Sequence, residues 1–195
     1  MNGVCCSYSS NVKTTTSSTK GFRVGWYLIY TKPRHEKKVE AKLADMAIQS
    51  LLPLTKRLRV WSDRKKYIDD PLFPSYVFVH LNGLHEYFTV SNAEGVVCFV
   101  RTGKDIARVS EITINNIKLL TGNMQSLEVV DTNFQAGQRL VISQGPLAGL
   151  TGELVRFSNK QILVVRVELL KRSIIVSLAK ENVSVCPSDR LEDIS

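Results

Sequence analysis

At 195 residues, with 44% hydrophobic and 23% charged side chains, the chain has the composition of a soluble globular protein of one or two domains able to bury a core. The net charge of +8 is uneven: residues 1–125 carry 18 Lys and Arg against 10 Asp and Glu, whereas residues 126–195 carry 8 against 8. Composition excludes three classes: Cys5, Cys6, Cys98 and Cys186 have no CxxC spacing, His35, His80 and His85 make no ligand pattern, and no apolar run approaches the ~20 residues of a spanning helix. Neither a metal site, a disulfide framework nor a membrane span is expected, and a cytosolic protein with reduced thiols is.

Residues 1–22 are rich in Ser, Thr and Asn and poor in large apolar groups, which predicts a disordered tail. Val24 to Thr31 reads as a buried strand ending at Lys32-Pro33. From Arg34 to Gln49, Val39, Leu43, Met46 and Ala47 recur at helical spacing, leaving Lys37, Lys38 and Lys42 on other faces. Arg57 to Trp61 alternates at period two and runs into Ser62-Asp63-Arg64-Lys65-Lys66, the pattern of a hairpin with a basic tip. Residues 32–66 hold 11 basic and 4 acidic side chains. That concentration favours a polyanion, nucleic acid before membrane, although a solvated lysine-rich face accounts for it equally well.

Next comes Pro71-Leu72-Phe73-Pro74-Ser75-Tyr76-Val77-Phe78-Val79. Two prolines fit no central strand, so Phe73 is expected at an exposed strand entrance, with Tyr76 to Leu81 as the strand. The pattern alone favours a core aromatic over a docking anchor at Phe73. His85 to Ser91 reads as a short helix, Val96 to Arg101 as a strand and Ser110 to Leu120 as a helix. The expected first domain, 23–122, is an α+β layer on an antiparallel sheet. Residues 123–136 read as a linker. Gln138 to Ser143, Gly152 to Phe157, Ile162 to Leu169 and Ser173 to Leu178 are short strands parted by Gly145-Pro146, Gly149 and Ser158-Asn159, predicting a small barrel over 137–186. Residues 187–195 are expected to fray.

These residues together resemble the NusG family of transcription elongation factors, and within it the specialised antiterminators typified by RfaH and the UpxY-type regulators of capsule operons. The resemblance covers about Trp26 to Val185. It rests on Trp26-Tyr27, the Pro71 to Phe78 stretch, Gly95-Val96 with Phe99-Val100, and Gly137, Val141, Gly145-Pro146, Gly149 and Gly152. It implies an N-terminal NGN domain on RNA polymerase and a C-terminal KOW domain with an SH3-like barrel. By position, Tyr30, Phe73 and Tyr76 line the hollow that receives the polymerase clamp helices. Glu86, Tyr87 and Thr89 stand where specialised members make a second polymerase contact, although Tyr87 and Phe88 replace most of the polar residues expected there. Lys32, Arg34, His35, Lys38 and Lys42 match the basic surface that meets the non-template DNA strand, through phosphates and, at His35, a base.

Leu169-Leu170-Lys171 occupies the barrel loop that in NusG proteins contacts ribosomal protein S10 or Rho. Its lack of the family's glycine and aromatic weighs against Rho, since lysine resists positive φ. The implied protein is a monomeric, non-enzymatic, cofactor-free antitermination factor of the bacterial cytoplasm. Two alternatives stand beside it: a general NusG acting at all genes, and a KOW-bearing protein acting on ribosomes or RNA.

Overall fold

The computed structural model describes residues 22–60, 65–123, 127–130, 138–142, 147–157, 160–177 and 185–187. The expected tails at 1–21 and 188–195, the hairpin tip at 61–64, and the turns at 143–146 and 158–159 lie outside the described residues.

The first part contains β1 (Gly25–Thr31), α1 (Glu36–Asp45), β2 (Ser50–Leu51), β3 (Leu54–Val60), β4 (Lys65–Pro71), β5 (Tyr76–Leu81), α2 (Leu84–Ser91), β6 (Val96–Phe99), β7 (Arg101–Thr102), β8 (Asp105–Ile106), β9 (Arg108–Val109) and α3 (Glu111–Asn123). β1 lies at the centre of an antiparallel sheet in the order β2-β5-β1-β6, with β9 pairing the start of β1. Its register with β5 runs from Gly25 opposite Leu81 to Tyr30 opposite Tyr76.

Period-two alternation sorts these strands onto two faces. Tyr27, Ile29, Val77, Val79 and Leu81 point to one, where Val39 and Leu43 of α1 and Val90 of α2 close a core. Trp26, Leu28 and Phe78 point to the other, in one apolar cluster with Phe73 and with Ile114, Ile117 and Leu120 of α3. Helix starts follow local chemistry. The Glu86 carboxylate accepts the Asn82 N–H (2.7 Å) before α2, and the Ser110 hydroxyl accepts the Thr113 N–H (3.2 Å) at the start of α3.

The second part holds β10 (Glu128–Val130), β11 (Gln138–Ile142), β12 (Thr151–Phe157), β13 (Lys160–Val167), a 3-10 turn (Glu168–Leu170), β14 (Arg172–Ser177) and β15 (Val185–Pro187). They form one antiparallel sheet in the order β10-β14-β13-β12-β11-β15. The four expected strands are there, and β10 and β15 are added at the two ends. β10 falls within the stretch read as a linker. Its three residues pair with Ser173 to Ile175, so this part of the connection is edge strand. Among the described residues no pairing joins β10 to β15, and the arrangement described is a six-stranded antiparallel sheet. Gly152 is required by close packing: a Cβ there would stand 2.8 Å from Leu163 Cγ and 3.0 Å from the Val164 carbonyl.

The second sheet packs on the first part through α3, which contacts β1 and β13. Leu140, Ile142, Leu150, Leu163, Val165, Ile174 and Val176 continue the apolar cluster that contains Trp26, Leu28 and Phe73. Asn116 locks the contact: its Nδ2 donates to the Thr151 carbonyl (2.7 Å), and its Oδ1 accepts the Thr151 N–H (3.0 Å). This buried amide satisfies a donor and an acceptor at once, so its loss would orphan both backbone groups.

Candidate functional site

Phe73 is fully buried, with its ring edge-on to Phe78 at 6.1 Å between centroids. The expectation of an exposed ring is therefore corrected. The prolines do keep the segment out of the strand: Leu72 donates to the Pro53 carbonyl (2.8 Å) and Tyr76 to the Phe73 carbonyl (3.2 Å), which makes a turn before β5. That turn folds Phe73 inward, beneath the sheet face that α3 also covers. A ring with no exposed surface touches no partner unless its surroundings move.

Tyr30 and Tyr76 are different. They face each other across β1 and β5, half-buried, with rings edge-on at 5.4 Å. Their orientation depends on Ser75, which sits at φ +66°. The Glu36 carboxylate, itself buried, accepts the Ser75 N–H (2.8 Å), and the Ser75 carbonyl accepts the Thr31 N–H (2.9 Å). A non-glycine residue in the left-handed region costs about 1 kcal/mol or more, and these two bonds hold it there.

The same turn joins the aromatic pair to the basic surface, because Glu36 opens α1. Lys32, Arg34 and Lys38 are exposed and His35 is half-buried. Arg34 takes φ +64° in the tight turn from β1 into α1. The His35 ring nitrogen Nδ1 lies 3.1 Å from the Pro33 carbonyl, which as a donor bond leaves Nε2 to face outward chemistry. Gly95 supports this turn. Its carbonyl accepts the Lys32 N–H (2.8 Å), its φ is +96°, and a Cβ would meet Val39 at 2.8 Å.

Lys42 is not a free cation, because it pairs with Glu94. The Glu94 carboxyl is held below its usual range by the hydrogen bond and charge of Lys42, with smaller help from Lys32 and His35. Glu94 thus places one negative charge among three of the five residues expected to meet the DNA strand. Sequence reading missed it, since Glu94 is 52 residues from Lys42 and no periodicity links them.

Glu86, Tyr87 and Thr89, expected at a second contact, are employed internally. The Glu86 carboxylate accepts the Asn82 N–H just before α2, and the Thr89 hydroxyl donates to the His85 carbonyl (3.0 Å). Tyr87 stacks on Phe99 at 4.8 Å in the core that α1 closes. What α2 offers outward is Phe88, with more than half its surface exposed, and Leu84 one turn earlier. Leu169 and Leu170 are half-buried against the large cluster, and Lys171 is exposed at φ +51°. Lysine accepts the positive φ after all, so its reluctance no longer argues about that loop.

Residues 25–118 match the family model described as "Transcription termination factor nusG". The chain is 28% identical over 153 residues to the transcription termination/antitermination protein NusG of Streptococcus pyogenes, covering 72% of this chain and 85% of that protein. The protein of the same name from Halalkalibacterium halodurans is 23% identical over 166 residues, covering 78% and 93%. The solved structure "Domain interaction in Thermotoga maritima NusG" is 25% identical over 80% of this chain and 93% of that chain, with a TM-score of 0.41.

Proposed function

We propose that this chain is a NusG-type transcription factor that docks on RNA polymerase through the end of β1 and the start of β5 in its first sheet and acts on elongation. The observation that carries the reading is the family match over 25–118, the segment that holds the sheet, both flanking helices and the basic turn. No side-chain set for covalent chemistry enters this account; the action is differential binding. A factor that fits one clamp state of the polymerase better than another shifts the population by the ratio of its two affinities.

Within that reading Tyr30 and Tyr76 are the half-buried anchors, and Phe73 belongs to the buried cluster against which Tyr76 packs. Rigid aromatics at an interface yield energy by desolvation, about 2 kcal/mol or more for a central one. Lys32, Arg34, His35 and Lys38 lie just beyond the same turn and are the proposed contact to the non-template strand, with Lys42 tempered by Glu94. The finer reading is an operon-specialised antiterminator of the RfaH or UpxY kind, with Leu169, Leu170 and Lys171 as the proposed contact to ribosomal protein S10.

The second reading is the general factor: Lys171 adopts φ +51°, a backbone shape that glycine takes readily, so the loop's lack of a glycine does not weigh against Rho. Depletion followed by genome-wide mapping of transcript ends separates the two. Loss of distal transcript from one operon supports specialisation, and readthrough at many terminators supports the general role.

A further inference from the structure

The hairpin of β3 and β4 stands apart from both large sheets as a two-stranded ribbon, and nothing in the proposed polymerase contact uses it. Its two strands carry five basic residues and two acidic ones. The register places Leu58 opposite Tyr67, Val60 opposite Lys65 and Lys56 opposite Asp69 on one face, with Arg57 opposite Ile68 on the other. Tyr67 is 65% exposed, Leu58 46% and Val60 64%, a degree of exposure that an aromatic and two aliphatics reach only when their own fold gives them no cover. On that face Lys65 is two residues along the strand from Tyr67, and Lys56 is its diagonal cross-strand neighbour, at roughly 7–8 Å in such a ladder.

A two-stranded ribbon that presents an aromatic between two lysines has the chemistry of a stacking platform: the ring takes a base face and the ammonium groups take the flanking phosphates. An acidic protein surface would satisfy the lysines and leave Tyr67 and Leu58 in water. A duplex would satisfy the charges with its bases stacked away from the ring. We propose that this ribbon binds single-stranded nucleic acid, with Tyr67 stacking on a base and Lys56 and Lys65 on phosphates. The Lys37 ammonium, which reaches from α1 to the Asp69 carbonyl (2.8 Å), ties the ribbon's base to the basic helix, so one strand can run from one to the other.

The test needs no polymerase and therefore stands or falls separately from the docking proposal. Anisotropy of a fluorescein-labelled oligo-dT is followed with the full chain across a salt series. Tyr67→Leu is expected to weaken binding about fivefold or more, the lower end of what one stacked base contributes. Tyr67→Phe is expected to retain it. Lys56→Gln with Lys65→Gln is expected to flatten the salt slope by roughly 0.7 per lost phosphate contact. All three positions are exposed, so unchanged thermal melts are expected, and a 5-bromo-dU oligonucleotide should crosslink within 65–71. Binding unaltered by Tyr67→Leu and by the lysine pair would overturn the proposal. So would equal affinity for a duplex of the same sequence, equal competition by polyglutamate, or loss of binding only on Lys32→Gln, before α1, with Lys38→Gln, within it.

Discussion

The two faces of the first sheet are built from the same two strands yet are covered in different ways. One is sealed locally: Tyr27, Ile29, Val77 and Val79 meet Val39, Leu43 and Val90 from helices that directly neighbour those strands in sequence. The other, with Trp26, Leu28 and Phe78, is covered by α3 and runs on into the second sheet, whose clustered residues lie roughly 60 to 150 positions away in sequence. Local cover is formed by the unit itself. Distant cover is conditional on a separate sheet held by an apolar contact and the Asn116 amide, so the second face is the one whose exposure can change.

The largest effect is expected on removing residues 124–195, which takes the distant cover away. Hydrogen exchange should lose protection along α3, whose outer side would face water, while α1 and its side of β5 keep theirs; equal loss on both faces would show that the first part is one indivisible core. Phe73→Ala comes next. A fully buried phenyl costs about 3–5 kcal/mol on truncation, measurable by urea unfolding, whereas Tyr76→Ala at the half-buried rim should cost markedly less. Comparable losses at the two would erase the distinction between support and anchor.

Asn116→Ala strands two backbone groups of Thr151 and should cost about 1–3 kcal/mol, with the second sheet's exchange rising before that of β1. Glu94→Gln tests the basic turn, and it should tighten oligonucleotide binding by freeing Lys42 and removing a repulsive carboxylate. Acid should act in the same direction. Because the folded carboxyl titrates below its unfolded value, the stabilising Lys42 pair is intact above the ordinary carboxylate range and is lost as pH falls through the lowered value. The smallest effect is expected at Lys171→Gly, a gain of no more than about 1 kcal/mol from relief of positive φ.

Much of the architecture was legible in the chain itself. The predicted strand Tyr76 to Leu81 coincides with β5, and the alternation at Arg57 to Val60 is β3, because both signals are local and periodic. What sequence could not supply was the identity of distant neighbours. A proline-framed turn marks Phe73 as outside a strand without saying what lies above it, and here α3, some forty residues later, shares its cluster. Glu94 beside Lys42, and β10 beside β14, are the same kind of fact. Lys171 shows the reverse: a local rule, that lysine avoids positive φ, overridden by the geometry of a tight connection between β13 and β14.

We propose that Tyr30 and Tyr76 dock the polymerase from the rim of the buried cluster that contains Phe73. Binding of the full chain to purified core RNA polymerase by surface plasmon resonance, wild type against Tyr30→Ala with Tyr76→Ala, tests it most directly, with circular dichroism confirming the fold of the variant. A loss of affinity of about thirtyfold or more is expected, corresponding to roughly 2 kcal/mol. Undiminished binding by a folded double variant would contradict it.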